Sequence, residues 1–148
     1  MNLLRLLIVS FLFQFCFGQS GKVVKVLDGD TFILENGIRI RIAEVDCPEL
    51  HQDFGQESKT FTERQVLYKV IRYSKINISY DRIVAKVWIN NMDLTKIIIS
   101  NGYGWWYQRY SNNLNLKKLQ NLAIKKRKGL WAKKAIEPYE YRKMYKLK

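Results

Sequence analysis

The sequence predicts an α+β fold, a small β-barrel of about five strands with helices packed on it. Three observations predict this. Short alternating runs at 22–27, 31–35, 38–46, 74–80 and 83–89 are separated by turn signals, above all Asn36-Gly37 and Asn90-Asn91. A single helical stretch, 56–72, interrupts those runs, and further helical patterns gather after residue 94. The chain has 148 residues, 47% hydrophobic and 14% aromatic, enough for one domain with a real core. No internal repeat or low-complexity linker divides it.

Residues 1–18 read as a secretory signal. Arg5 is their only charge, an apolar run at 6–17 is broken by Ser10 and Gln14, and Gly18 offers a small residue at the cut. The expectation is a secreted or periplasmic protein. The apolar run is short for a membrane span. A retained anchor is the alternative, and the membrane is expected as a partner only then. Without the leader, 25 basic residues face 13 acidic ones, net +12. So large a field on so small a domain implies a polyanionic partner, nucleic acid first. Cys16 leaves with the leader and Cys47 remains alone, so no disulfide forms within the mature chain. The single histidine, His51, lies in a polar run, which argues against Ser-His-Asp or Cys-His chemistry.

The strand at 22–27 leads into a hairpin, 31–35 and 38–46, closed by Asn36-Gly37. Pro48 ends the second strand because proline cannot donate to a ladder. The helix at 56–72 contains no Pro or Gly, and Leu67, Val70 and Ile71 share a face at i, i+3, i+4. A second hairpin follows, 74–80 and 83–89. Residues 94–100 read as a short helix capped by Asn101-Gly102. After the aromatic, basic run 104–110, Ser111-Asn112-Asn113 starts a helix striped by Leu116, Leu119, Leu122 and Ala123. It closes in Lys125-Lys126-Arg127-Lys128-Gly129, a basic helix end that suits the dipole and pulls generally on polyanions. Leu130-Trp131 folds back on the core. Glu137-Pro138 breaks any further helix, so the chain from 139 onward reads as a loose basic tail.

The chemistry gathers in Asp28-Gly29-Asp30-Thr31 and Arg41 to Glu49. The hairpin brings Asp30, at the start of one strand, toward Asp46, at the end of the other. Two carboxylates that close repel unless something positive sits between them. Oxygen ligands without His or Cys pairs suit a hard cation, calcium or magnesium. The alternative is a turn with solvated acids. Phosphodiester cleavage needs a base for water, cations against the transition-state charge and fixed donors to its oxygens. Glu49 can be the base. Arg41 and Arg82 can present planar forks to phosphate oxygens, or serve as surface strand arginines in cross-strand pairs. Tyr107 and Tyr110 can stack on a base or bond a phosphate. The alternative is packing between barrel and last helix, the reading favoured for Trp105 and Trp106.

Taken together, Asp28-Gly29-Asp30-Thr31, Arg41 with Val45-Asp46-Cys47-Pro48-Glu49, Gly55-Gln56-Glu57, Asp81-Arg82-Ile83-Val84-Ala85, Gly102-Tyr103-Gly104-Trp105-Trp106 and Gly129-Leu130-Trp131 resemble the staphylococcal nuclease family of calcium-dependent nucleases. The resemblance covers a domain at 21–142, between the signal at 1–18 and a basic tail at 143–148. It implies a five-stranded OB-fold barrel with about three helices. It further implies calcium ligated by Asp30 and Asp46 and by the carbonyl of Cys47, with Asp28 supporting that site from behind. Arg41 and Arg82 would bind phosphate, and Glu49 would be the base or orient the water. DNA and RNA would be cut at the 5′ P–O bond, leaving 3′-phosphate ends, by a monomer with no stable protein partner. Two departures stand out. Cys47 replaces the family's usual threonine or alanine, so a thiol lies beside the ligands. Asp81 abuts Arg82 directly where the family often has a Tyr-Gly pair between them, so Tyr80 is the substitute substrate tyrosine. A non-catalytic OB-fold module that only binds nucleic acid, and a basic protein clinging to anionic surfaces, are the competing readings.

Overall fold

The computed structural model describes residues 18–146; the secretory signal expected at 1–18 lies, but for Gly18, outside the described residues. The chain runs β1 (Gln19–Val26), β2 (Thr31–Leu34), β3 (Arg39–Ile42), β4 (Val45–Asp46), α1 (Gly55–Val66), β5 (Val70–Ser79), β6 (Arg82–Ile89), β7 (Met92–Asp93), α2 (Leu94–Ser100), β8 (Trp105–Trp106), α3 (Leu114–Lys125) and α4 (Pro138–Met144). Two short 3₁₀ turns, Gln108–Tyr110 and Gly129–Ala132, flank α3.

The main sheet has the order β3-β2-β1-β5-β6-β7, and β3 also pairs with β6, which closes a five-stranded barrel. The closing pair is parallel, with Arg39 beside Arg82 and Arg41 beside Val84. The other barrel pairings are antiparallel. Alternation sets which side chains fill the barrel. On β3, Ile40 and Ile42 are buried, whereas Arg39 and Arg41 face outward. Phe32, Leu34, Val23, Ile71, Ala85 and Val87 complete the interior, and Val66, Leu94, Ile98 and Leu116 cover it from the helices.

Three sequence expectations change. The helix expected at 56–72 ends at Val66, and β5 begins at Val70. Leu67 turns extended and Tyr68 takes a left-handed φ of 62°, which stops the helix. The spacing of Leu67, Val70 and Ile71 mimicked a helical face, but Ile71 points into the barrel and Val70 out of it. The strand expected at 38–46 breaks at Glu44, whose φ is 64°, and Val45–Asp46 pairs instead with Trp105–Trp106. Arg41 holds that break, donating from Nη1 to the carbonyls of Ile42 (2.8 Å) and Val45 (3.1 Å). Finally, Pro138 does not break a helix but begins one. It occupies the first turn of α4, where a missing N–H costs nothing. The barrel therefore carries four α-helices among the described residues rather than about three.

Helix α1 is clamped against the turn before β2. Thr62 Oγ1 donates to the Gly29 carbonyl at 2.6 Å, and Ser58 Oγ to the Tyr103 carbonyl at 2.6 Å. The approach leaves no room for a side chain at Gly29: a Cβ there would lie 2.1 Å from Ser58 Oγ and 2.6 Å from the Cys47 Cβ. Gly29→Ala is therefore expected to destabilise the fold by about 1–3 kcal/mol in urea unfolding, the usual cost of overpacking. The corrected start of β5 is tested the same way. Ile71→Ala should cost about 2–5 kcal/mol as a barrel-core truncation, whereas Val70→Thr, on the exposed face, should stay within about 0.5 kcal/mol.

Candidate active site

One open cleft of about 570 Å³ lies at the barrel mouth, between the turn before β2, the β3–β4 break, the β5–β6 hairpin and helix α4. Asp28, Asp30, Arg41, Asp46, Cys47, Glu49, Tyr80, Arg82, Tyr107 and Tyr110, the residues singled out by sequence, all line it.

Asp30 and Asp46 are both buried at its floor. The Ile42 N–H donates to the Asp30 carbonyl at 2.8 Å and the Cys47 N–H to Asp30 Oδ2 at 2.9 Å, so the two strand ends are bonded together there. Thr31 Oγ1 donates to Asp30 Oδ1 at 3.0 Å. Arg41 Nη2 reaches both acids, 3.1 Å from Asp46 Oδ1 and 3.6 Å from Asp30 Oδ2. Burial works to lower the Arg41 pKa, but Asp30 and Asp46 more than offset it, and the net shift is upward. Both Nη1 hydrogens are committed to backbone carbonyls and one Nη2 hydrogen to Asp46. A guanidinium has five N–H donors, which leaves Nε and one Nη2 hydrogen for a further acceptor.

The acids are crowded. Asp28 accepts from the Asp30 N–H at 3.0 Å, and burial, then the charge of Asp30, pushes its pKa up to about 7. Burial also raises the pKa of Asp46, with Asp30 adding to it, although Arg142 and Arg41 pull the other way. Oxygen donors gathered this closely, without His, fit a hard cation, whose remaining ligands would be backbone carbonyls, water and substrate oxygens. The Cys47 thiol does not compete as a soft ligand. It is buried against Gly29 and Gly104, and burial pushes its pKa well above the usual thiol value, which keeps it protonated.

Arg82 opens β6 just after the two-residue turn Tyr80-Asp81, in which Ser79 pairs with Arg82. The shortened turn does not remove Arg82 from the cleft. Asp81 instead forms an ion pair with Arg39, and among the described residues no carboxylate pairs with Arg82. Tyr80 stands at the turn with 86% of its surface exposed. Tyr107 and Tyr110 tilt against one another at 4.9 Å between ring centroids, with the Arg41 guanidinium 5.7 Å from the Tyr107 ring. Burial and then Asp46 raise the Tyr107 pKa, so its phenol remains a donor. Trp105 packs edge-on against Trp131 at 5.0 Å, away from the cleft.

One residue of the cleft went unread in the sequence. Arg142 of α4 donates from Nη1 to Glu49 Oε1 (2.8 Å) and Asp46 Oδ1 (3.2 Å), and from Nη2 to Asp46 Oδ2 (2.8 Å). Burial alone would lower its pKa; the bonds to Asp46 and Glu49 raise it instead. The only local signal was Pro138 followed by Tyr-Glu-Tyr-Arg, a helix start that puts Arg142 in the last turn.

Comparison with known proteins gives the family of the chain. The staphylococcal nuclease homologue family matches residues 39–133. An uncharacterized endonuclease of Haemophilus influenzae is 34% identical over 132 residues, which are 85% of this chain and 74% of that protein. An uncharacterized endonuclease of Escherichia coli is 32% identical over 133 residues, 84% of this chain and 87% of that one. The staphylococcal-like nuclease CAN1 of Arabidopsis thaliana is 31% identical over 115 residues, 75% of this chain but only 35% of its own length. With a closed five-stranded barrel, its helices and these relatives in hand, the chain belongs to the staphylococcal nuclease homologue family.

Proposed function

We propose that this protein is an exported, calcium-dependent endonuclease that hydrolyses phosphodiester bonds of DNA and RNA with little sequence preference. The observation that carries the reading is the single cleft that joins buried Asp30 and Asp46 with Glu49, Arg41 and Arg82. The family and the endonuclease names of its relatives support hydrolysis of nucleic acid. The apolar leader with its single charge supports export, and the net +12 of the remaining chain supports a polyanionic substrate.

Asp30 and Asp46, with the backbone carbonyl of Cys47, would hold calcium, and Asp28 would back them. When bound, the ion supplies positive charge against the phosphate oxygens. Every other part belongs to the chain. Glu49 takes a proton from the water that attacks phosphorus. Arg82, with no carboxylate partner among the described residues, and the uncommitted N–H groups of Arg41 donate to the phosphate oxygens as charge builds there. The P–O bond to the 5′ oxygen breaks, leaving a 3′-phosphate and a 5′-hydroxyl that takes its proton from solvent. Tyr107 donates to phosphate, and Tyr80 and Tyr110, both largely exposed, offer faces to unstacked bases.

Digestion of single-stranded and duplex DNA by the protein lacking residues 1–18 tests this. Cleavage should require calcium, stop with a chelator and leave 3′-phosphate ends. Glu49→Gln should slow it by about 10²- to 10⁴-fold, the usual contribution of a positioned base. Tight binding without cleavage at any calcium concentration would favour the non-catalytic binding module instead.

A further inference from the structure

We propose that Arg142 is a positioning residue of this site, holding the Glu49 carboxylate against Asp46 in the orientation from which it acts. The inference rests on Glu49 being the base. It arises from geometry alone: one guanidinium spans two carboxylates from a different part of the chain, with a 2.8 Å bond to each.

The physical need is clear. Asp46 and Glu49 lie three residues apart, on either side of Pro48, and their like charges repel. Glu49 follows β4 in a loop, so no strand pairing fixes its side chain. Arg142 converts the repulsion into a bridge. Its planar fork sets the angle as well as the distance, which a lysine ammonium does not.

Helix α4 is short, and most of the ties that seat it lead to the same loop. Gln52 is the hub. Its N–H donates to the Glu49 carbonyl at 2.8 Å, its Oε1 accepts from the Glu49 N–H at 3.1 Å, and its Nε2 donates to the Ile136 carbonyl at 2.6 Å. The Glu49 backbone and the segment that enters α4 are thus pinned to one buried side chain. Tyr141 Oη donates to the His51 carbonyl at 3.4 Å, and the Arg109 guanidinium lies 3.6 Å over the Tyr139 ring. Gly55 presses on the same loop, since a Cβ there would lie 2.0 Å from the Glu49 carbonyl oxygen. The backbone of Glu49 is therefore fixed from several sides, while its carboxylate is fixed by Arg142.

Two measurements test the assignment. The first needs neither nucleic acid nor cation. In urea unfolding of the metal-free protein, the midpoint losses of Arg142→Gln and Glu49→Gln should not add: the double variant should lose less than their sum, because the second change removes a bond already broken. Additive losses would overturn the proposal. The second is kinetic. Arg142→Gln should lower kcat by about 10- to 100-fold, the usual cost of losing a partner that orients a metal-site group. KM should change little, and Arg142→Lys should recover part of the loss. In a Glu49→Gln background, Arg142→Gln should slow cleavage no further, since residues that act as a unit are not additive. A full further loss in that background would show that Arg142 contacts substrate directly, and a loss cured by excess calcium would place its action at Asp46; either overturns the proposal. A wild-type protein that cuts nothing would defeat the endonuclease reading while the urea cycle still decided whether Arg142 holds Glu49.

Discussion

Two carboxylates, Asp30 and Asp46, are buried within reach of one arginine at the mouth of the barrel, and the surrounding structure compensates for the cost of putting them there. Buried charge is tolerated only when it is paired and hydrogen-bonded. Arg41 supplies the pairing, the Cys47 N–H and Thr31 hydroxyl supply bonds to Asp30, and Arg142 closes over the second carboxylate. The upward shifts at Asp28 and Asp46 show that burial still dominates for those two groups.

The fold follows from holding that cluster in register. A hairpin alone would bring the two strand ends near each other. The parallel pairing of β3 with β6 closes the barrel and sets Arg41 and Arg82 on one rim. The β3–β4 break then turns Asp46 and Glu49 across the mouth, and Arg41 holds the break with the same guanidinium that faces the acids. Helix α1, through Thr62 and Ser58, presses the Asp28-Gly29-Asp30 turn from behind. One arginine therefore couples local backbone geometry to the electrostatics of the site, and a change there is expected to disturb both together.

Much of this was legible in the chain because it is local. Asn36-Gly37 with alternating Ile38, Ile40 and Ile42 specifies a hairpin, which brings Asp30 opposite Ile42; the break at Glu44, which carries Asp46 the rest of the way to Asp30, has no such local signal. The Asn90-Asn91 turn is equally local; both residues adopt left-handed φ angles. What was misread had two valid local readings. Leu67, Val70 and Ile71 fit a helical face as well as they fit a strand entered after a left-handed Tyr68, and pairing with β1 decides between them. Proline stops a helix from inside but starts one at its first turn, so Pro138 pointed either way. Arg142 could not be read at all. Its partners lie 93 and 96 residues back in the chain, and no periodicity encodes a contact of that range.

The central claim is that Asp30 and Asp46 form a cation site, and calorimetric titration of calcium into the protein lacking residues 1–18 tests it most directly. The account predicts a saturable binding event in the wild-type protein. It further predicts that this event is lost in Asp30→Asn, a change that keeps an acceptor for the Cys47 N–H and removes the charge. Absence of binding by the wild-type protein, or binding that survives Asp30→Asn unchanged, would contradict it.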